Sequence, residues 1–454
     1  MTAEPSSPES DYQLSPQNTS LYDGSGQSRW GYVPARGDSV QQNFRDVRVP
    51  TWEKVINVPW KLVAYPLGWI NDGIGKGINS FAGTGVGQWV QRAFRKVDVP
   101  YGVTVTPTIS GFRDFEWGFT LYHNEFLDPR RQVRLGLKIG GQGTLKVYYG
   151  SRFAQRFDWG IGYRRRGNAR YFGIGPETSS DTESYYTERS AWLGFGYNVP
   201  LGRHSYFRLR ASYNAIDTGP PISERGSSIE EVFAGNLPKG YDQLSRGLAF
   251  GFVLRNDNTT ERARPQRGGI RRLRVEYFTA TSGDSPDYWT FRGELQQFLP
   301  LWYTKRALCL RGFMAWIEPV GDGVLDFQRL YTNDDPDLLR GFIDYRWRDQ
   351  GMLGFSVEYR WPGWALREVA GTGVDIYLLS DIGQVYGDLR QIALRNLTVS
   401  WGFGLRLLGD NQKYITRLEF AWSDEDFVVR LRSDQLFQYI RNIFYYGRRP
   451  IPAR

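Results

Sequence analysis

From residue 101 onward the sequence alternates apolar and polar residues with a period of two, in segments of roughly ten residues. In NLTVSWGFGLRL (396–407), Leu397, Val399, Trp401, Phe403, Leu405 and Leu407 share one face; Asn396, Thr398, Ser400, Gly402, Gly404 and Arg406 share the other. MLGFSVEYRW sets Leu353, Phe355, Val357, Tyr359 and Trp361 against Gly354, Ser356, Glu358 and Arg360. SYFRLRASY sets Phe207, Leu209, Ala211 and Tyr213 against Arg208, Arg210 and Ser212. Successive side chains of a strand point to opposite faces, so each segment has one greasy and one wet side. About ten residues is also what a tilted strand needs to cross a bilayer.

A soluble antiparallel sheet with one buried face would alternate in the same way. Two features favour a membrane barrel. The apolar faces are large and aromatic while the opposite faces are rich in Gly and Arg, an apolar-out, polar-in arrangement. The second feature is the spacing of the loops. Strands are predicted near 101–110, 115–125, 132–140, 143–150, 157–166, 186–198, 204–215, 245–256, 269–279, 287–298, 305–316, 351–361, 373–380, 396–407, 413–422 and 425–434. The longest gaps, 167–185, 216–244 and 317–350, all follow an odd-numbered strand. If the chain enters from the periplasm, all three lie on the outer surface, the short-turn, long-loop asymmetry of outer-membrane barrels. The expectation is an all-β membrane protein, a 16-stranded antiparallel transmembrane β-barrel; an even strand number closes the sheet and removes its edges.

Composition narrows the function classes. Hydrophobic residues make up 41% of the 454, yet no run of about 18 apolar residues supplies a transmembrane helix. A soluble all-β enzyme and a β-propeller fit the composition alone as well as a barrel does. The single cysteine, Cys309, excludes a disulfide framework within the chain and any multi-Cys metal site. With only His123 and His204 available, a Ser/His or Cys/His catalytic pair has almost nothing to draw on, so no enzyme, metal or cofactor is expected. The net charge of +9 could serve nucleic acid, anionic lipid or an anionic solute. Without a Lys/Arg block, zinc spacing or RNA-binding aromatic motif, nucleic acid is not expected.

Residues 1–50, rich in Ser, Gln, Asp, Gly and Pro, read as a disordered polar N-terminus. The opening MTAEPSSPES has neither a basic n-region nor an apolar h-region, so for an exported protein it reads as a mature or trimmed sequence. Residues 51–100 read as an amphipathic helical segment at the periplasmic side, with Trp52, Val55, Ile56, Trp60, Leu62 and Val63 near helical spacing. It reads either as a pair of short helices packed on the domain, or as an interfacial or barrel-entering helix. The barrel is expected over 101–437 and a C-terminal extension over 438–454, where Ile440, Ile443, Phe444 and Tyr445 suggest a short amphipathic stretch.

Four segments carry a resemblance. They are YFGIGPET (171–178) with Tyr185 and Tyr186 after it, RNDNTTERARPQRGG (255–269), LLRGFIDYRWRDQGMLGFSVEYRWP (338–362) and LLSDIGQVYGD (378–388). In this order and spacing they resemble the BamA/TamA-type outer-membrane barrel superfamily, the bacterial surface antigen family, over roughly residues 100–437. The second segment departs from the family's Asp-x-Arg-Asp … Pro-x-x-Gly turn, with Asn258 and Thr259 where Arg and Asp are expected. The resemblance implies that the Arg-Gly-Phe loop, Arg340, Gly341 and Phe342, folds back into the lumen. It also implies that Arg340 meets acidic residues of the inner wall, here Glu358 and Asp381. By alternation Glu358 faces the lumen, and Asp381 falls at the end of the thirteenth predicted strand. A guanidinium in a narrow lumen needs carboxylates nearby, because a partly desolvated lone charge is costly.

The family usually carries POTRA domains before the barrel, and residues 1–100 show no such pattern, so a member without them is expected. The implied location is the bacterial outer membrane, in contact with its lipid, including lipopolysaccharide. The implied function is membrane protein or lipid assembly or translocation, with a protein or lipid client. The alternative is a small anion-selective channel, since Arg208, Arg210, Arg272, Arg274, Arg406, Arg417, Arg430 and Arg432 share the inward parity and make a basic lumen.

Overall fold

A computed structural model describes residues 101–110, 114–140, 143–154, 156–222, 226–260, 265–282, 285–301, 306–333, 338–365, 373–408 and 415–433. The expectations for 1–50, 51–100 and 438–454 lie outside the described residues. The strands in chain order begin with β1 (Tyr101–Ser110), β2 (Asp114–His123), β3 (Arg131–Gly140), β4 (Thr144–Phe153), β5 (Phe157–Tyr171) and β6 (Ser184–Pro200). There follow β7 (Ser205–Gly219), β8 (Ser245–Asp257), β9 (Gly268–Ser282), β10 (Tyr288–Pro300), β11 (Ala307–Pro319), and the short pair β12 (Tyr331–Thr332) and β13 (Arg348–Asp349). The last are β14 (Gly351–Ala365), β15 (Gly373–Tyr386), β16 (Thr398–Leu408), β17 (Ile415–Trp422) and β18 (Phe427–Ser433). One helical turn, α1 (Ile229–Val232), lies between β7 and β8; Ser228 caps it and Glu231 closes a capping box.

All strands except β12 and β13 join one closed antiparallel barrel, each paired with its sequence neighbours and β1 paired with β18. Each predicted strand has its counterpart. β10 and β11 pair along their whole lengths, from Tyr288↔Pro319 to Pro300↔Ala307. At the closing seam, among the described residues, only Ile109↔Leu431 and Ser110↔Arg430 pair.

The faces fall as the alternation requires. Leu209, Phe250, Leu295 and Trp401 point outward and are 50%, 49%, 52% and 60% exposed, while inward Arg208, Arg311, Glu294 and Glu419 are buried. An outward belt of this kind far exceeds the apolar patch a soluble monomer leaves open. Stacked ring pairs such as Trp401–Trp422 and Phe403–Phe420 cover adjacent strands on the outer face.

Several strands run beyond their predicted ends. β5 continues to Tyr171, β6 begins at Ser184, β9 reaches Ser282 and β15 reaches Tyr386. At the ends of β5, β6 and β15 the period-two signal fails for a physical reason: both faces are covered, whereas at the end of β9 Thr281 is exposed. Gly167 to Tyr171 are buried without alternation, and the β5–β6 register shifts between Arg166 and Ala169. As a result Asp381, expected at a strand end, lies inside β15 opposite Ser356 and Ser400.

The segments 172–183, 220–244 and 320–350 leave the same end of the barrel and close it. Phe327 of the third packs with Tyr171, Tyr186, Ile229 and Tyr241 of the other loops and strand ends. At the opposite end the two stems of the connection after β8 are tied together: Gly269 N–H donates to Asn258 Oδ1 at 2.7 Å, and Gly268 takes a φ of +87°. So Asn258, where the motif departs, joins the two strand ends, because Asn side chains bond local backbone readily.

The barrel is therefore expected to require detergent and to be heat-modifiable, migrating faster on gels unheated than boiled. A monodisperse monomer in detergent-free buffer would contradict this fold.

Candidate functional site

The segment between β11 and β14 enters the lumen and is fixed there by charge. Arg340 is fully buried. Its backbone N–H donates to Asp381 Oδ2 at 2.9 Å, its Nε to the same oxygen at 2.8 Å, and a terminal nitrogen to Asp381 Oδ1 at 2.7 Å. The other terminal nitrogen donates to Glu358 and, at 3.3 Å, to Glu419. Burial by itself would lower the Arg340 pKa, but Asp381 and then Glu358 outweigh it and hold it well above the usual arginine value. The guanidinium stays charged, and its planar fork suits the paired oxygens of Asp381.

Three strands supply these carboxylates: β14 gives Glu358, β15 gives Asp381 and β17 gives Glu419. Two of the carboxylates, Glu358 and Glu419, have further partners or neighbours that limit their freedom. Arg360 Nε donates to Glu358 at 2.8 Å, Tyr377 donates to Glu419 at 2.7 Å, and Arg417 stands 3.6 Å from Glu419. The sequence reading placed Arg340, Glu358 and Asp381 together, and the structure brings them into contact. It did not connect Glu419 to Arg340. The available signal was the inward parity that Glu419 shares with Arg417 in ITRLEFAW.

Gly341 and Phe342 complete the turn. A Cβ on Gly341 would lie 2.4 Å from the Trp422 carbonyl oxygen and 2.7 Å from Ser400 Cβ, so only glycine lets the loop approach the wall this closely. Ser423 Oγ donates to the Gly341 carbonyl at 2.9 Å. Phe342 is buried with Leu338, Leu339, Phe313, Trp347 and Val385, its ring edge-on to Trp347 at 5.8 Å. Leu339 and Tyr345, on either side, take φ values of +51° and +71°. Left-handed backbone at such residues is strained and persists only where the surroundings over-determine it.

The rest of the loop is tied to elements that the sequence reading left separate. Arg346 donates to Glu425 at 2.6 and 2.7 Å and to Thr178 Oγ1 at 2.8 Å. The Gly175 N–H donates to the Arg348 carbonyl at 2.9 Å, and Arg348 donates to Tyr186 at 3.1 Å. So YFGIGPET and the Arg-Gly-Phe segment, two of the motifs noted above, meet in space. Their common occurrence was the signal for that contact. Alternation could not reveal it, because Gly175 lies in a loop and Arg348 in the two-residue β13, too short to show a period.

The arginines expected to face inward divide into two groups, the side chain of Arg432 lying outside the described residues. Arg406, Arg417 and Arg430 are buried around the Arg340 network, and Arg432 is in register with Arg417. Arg430 donates to the Phe342 carbonyl at 2.8 Å and lies 2.8 Å from Asp344. Across the lumen, Arg208 donates to Asp158 at 2.9 Å, Arg272 to Glu294 at 3.0 Å, and Arg210 lies 2.8 Å from Glu276, which Arg274 also engages at 2.6 Å. Arg208, Arg210, Arg272, Arg274, Arg417 and Arg430 are therefore partnered with or adjacent to wall carboxylates or a loop carbonyl. Cys309 is buried on β11 opposite Glu358, whereas His123 ends β2 beside Tyr101 and Phe126, far around the barrel.

The family model for the Omp85 superfamily domain matches residues 120–421. Among solved structures, BamA from Haemophilus ducreyi lacking POTRA domains 1–3 is similar, with 11% identity over 74% of this chain and 69% of that one and a TM-score of 0.52. CdiB from Escherichia coli is similar with 12% identity, 74% and 63% coverage and a TM-score of 0.51. The chain thus spans less than two thirds of that CdiB structure. At these identities the likeness is one of fold. No curated protein matches.

Arg340→Ala should loosen the loop, making residues 320–350 protease-sensitive and lowering the temperature at which the unheated gel form is lost. Removing one partner of a buried ion pair costs roughly 3–5 kcal/mol, because the remaining charges are left facing one another. Gly341→Ala should give the same phenotype through the clash with Trp422, without changing any charge. Wild-type protease resistance and heat-modifiability in both variants would refute the lock.

Proposed function

Because this chain belongs to the Omp85 superfamily, whose barrels are transport and assembly factors, we propose that it assembles or translocates a protein or lipid client. The barrel resides in the bacterial outer membrane. In this reading the inward loop is the plug, and the seam between β1 and β18 is where the client engages or leaves.

One observation supports this reading above the others. Arg430 belongs to the seam, where it is in register with Ser110, and its side chain holds the plug at the Phe342 carbonyl and Asp344. Plug and seam therefore share a residue. Moving the loop outward releases a side chain of β18, and peeling β18 from β1 pulls on the loop. The seam is also the weakest line of the cylinder. A sheet opens where fewest backbone hydrogen bonds must break, and among the described residues this pairing is the shortest.

The anion-channel reading draws on the basic lumen. It is weakened by the loop, which enters the lumen and is fixed to its wall, and by the carboxylates that pair with many of the arginines. An open channel would give steady anion-selective conductance in planar bilayers from the unmodified protein. The assembly reading expects conductance to be small and to rise when residues 330–348 are deleted.

The direct test is a cysteine pair across the seam, Ile109→Cys with Leu431→Cys, which are partners in register. Oxidised in cells, it should deplete a set of proteins or a lipid class from the outer membrane, and reduction should restore them. An outer-membrane protein and lipid inventory that does not change on locking would sink the proposal.

A further inference from the structure

On the side of the lumen away from Arg340, the wall sets like charges directly against each other. Lys138 on β3 is in register with Lys146 on β4, and Lys146 with Arg164 on β5. Arg274 on β9 is in register with Arg292 on β10. Cross-strand neighbours of like sign destabilise a sheet. Neither row is needed by the Arg340 network.

The first row, through Lys146 and Arg164, and the second face one cavity of about 400 Å³, lined by six cationic side chains, Lys146, Arg164, Arg210, Arg274, Arg292 and Arg329, while Lys138 stands outside it and pairs with Glu116. Two carboxylates, Glu188 and Glu276, also line it, which leaves a surplus of four positive charges. Those carboxylates are already shared. Glu188 accepts from Arg164 and from Arg166, each at 2.7 Å, and Glu276 serves both Arg210 and Arg274. Arg329 comes from the inward loop, where it donates to the Ser245 carbonyl at 2.9 Å and lies over the Phe278 ring at 4.5 Å. Gln328 and Tyr331 of the same loop also line the cavity.

A concentration of charge in an enclosed lumen is not neutralised by distant surface groups, and the low-dielectric wall strengthens the repulsion. The geometry points to a counter-anion, and we propose that this chamber binds a multivalent, phosphate-bearing solute. Guanidinium forks match phosphate oxygens in pairs. One multivalent anion satisfies both rows at a smaller entropic cost than several monovalent ions. The chamber is bounded by the inner wall and not by the lipid-facing surface, which selects a soluble ligand over a bilayer headgroup. With Arg329 among its cations, an occupied chamber also holds the loop inward. This site goes beyond the client-handling reading and stands whether or not the seam opens.

The test is calorimetric titration of tripolyphosphate, and separately of inorganic phosphate, into the full-length protein in phospholipid-free detergent at low salt. Tripolyphosphate should bind saturably at one site, more tightly than phosphate, and more weakly as salt rises. Loss of two charged contacts should weaken it on the order of tenfold or more in the double variant Lys146→Gln, Arg292→Gln. Relief of like-charge opposition should leave that variant heat-modifiable. Arg329→Gln leaves the wall strands intact and should weaken binding on its own, so the proposal stays testable if the double variant does not fold. Arg130→Gln, in an exposed turn far from the chamber, should bind as wild type. Absence of saturable binding overturns the proposal, as does equal binding by wild type, the double variant and Arg329→Gln. Binding only when anionic lipid is added to the detergent also overturns it, because that assigns the ligand to a headgroup.

Discussion

Within the hydrocarbon of a bilayer no water is available to bond a free N–H or C=O, and each one left unpaired costs several kcal/mol. A sheet meets that demand only by closing on itself. The whole architecture follows from this: every barrel strand pairs on both sides, and the two ends of the chain's strand run must meet each other as β1 and β18. Among the described residues closure is thinnest at that meeting. Strands joined by a turn are held in register by it, whereas the seam relies on pairing alone.

Closure creates a second problem, because the inward faces have no solvent of bulk character. The polar half of each alternating strand must be satisfied inside. This protein does so with arginine–carboxylate networks and with a loop that fills the space. Around Arg340, three carboxylates from three strands converge on one guanidinium, so the loop is fixed relative to β14, β15 and β17 together. The glycine beside it allows contact close enough for Ser423 and Arg430 to hold its backbone. In the other half of the lumen the same economy is not observed, and cations outnumber carboxylates. The two halves differ in their balance of charge: around Arg340 three carboxylates meet one guanidinium, whereas the chamber is lined by six cations and two carboxylates.

Much of the barrel was legible in the chain because a period of two is a direct consequence of strand geometry. The alternation in 396–407 marked β16 and its faces, and the strand parity of the long gaps marked the closed end. Legibility ended where a strand left the bilayer. At Gly167 to Tyr171 the loops cover the outer face as well, alternation is lost, and the last turn of β5 is invisible to pattern. Asp381 was misplaced to a strand end for the same reason, since β15 continues six residues past its predicted limit under the cover of the loop.

The residues of the lock divide in the same way. Arg340, Glu358 and Asp381 could be joined from a motif and from parity, whereas Glu419 could not, because β17 is distant in sequence and nothing local announces its neighbour. By itself, then, the sequence determined the fold class, the strand number and which side chains face inward, since these depend on local backbone geometry and on the hydrophobic effect along each strand. Only the tertiary structure decided which inward charges meet, that Arg430 joins the plug to the seam, and that two rows of cations share one chamber. Those facts depend on register and on closure around the cylinder, and the Coulomb energy that rewards them acts between residues as far apart in the chain as Asp344 and Arg430.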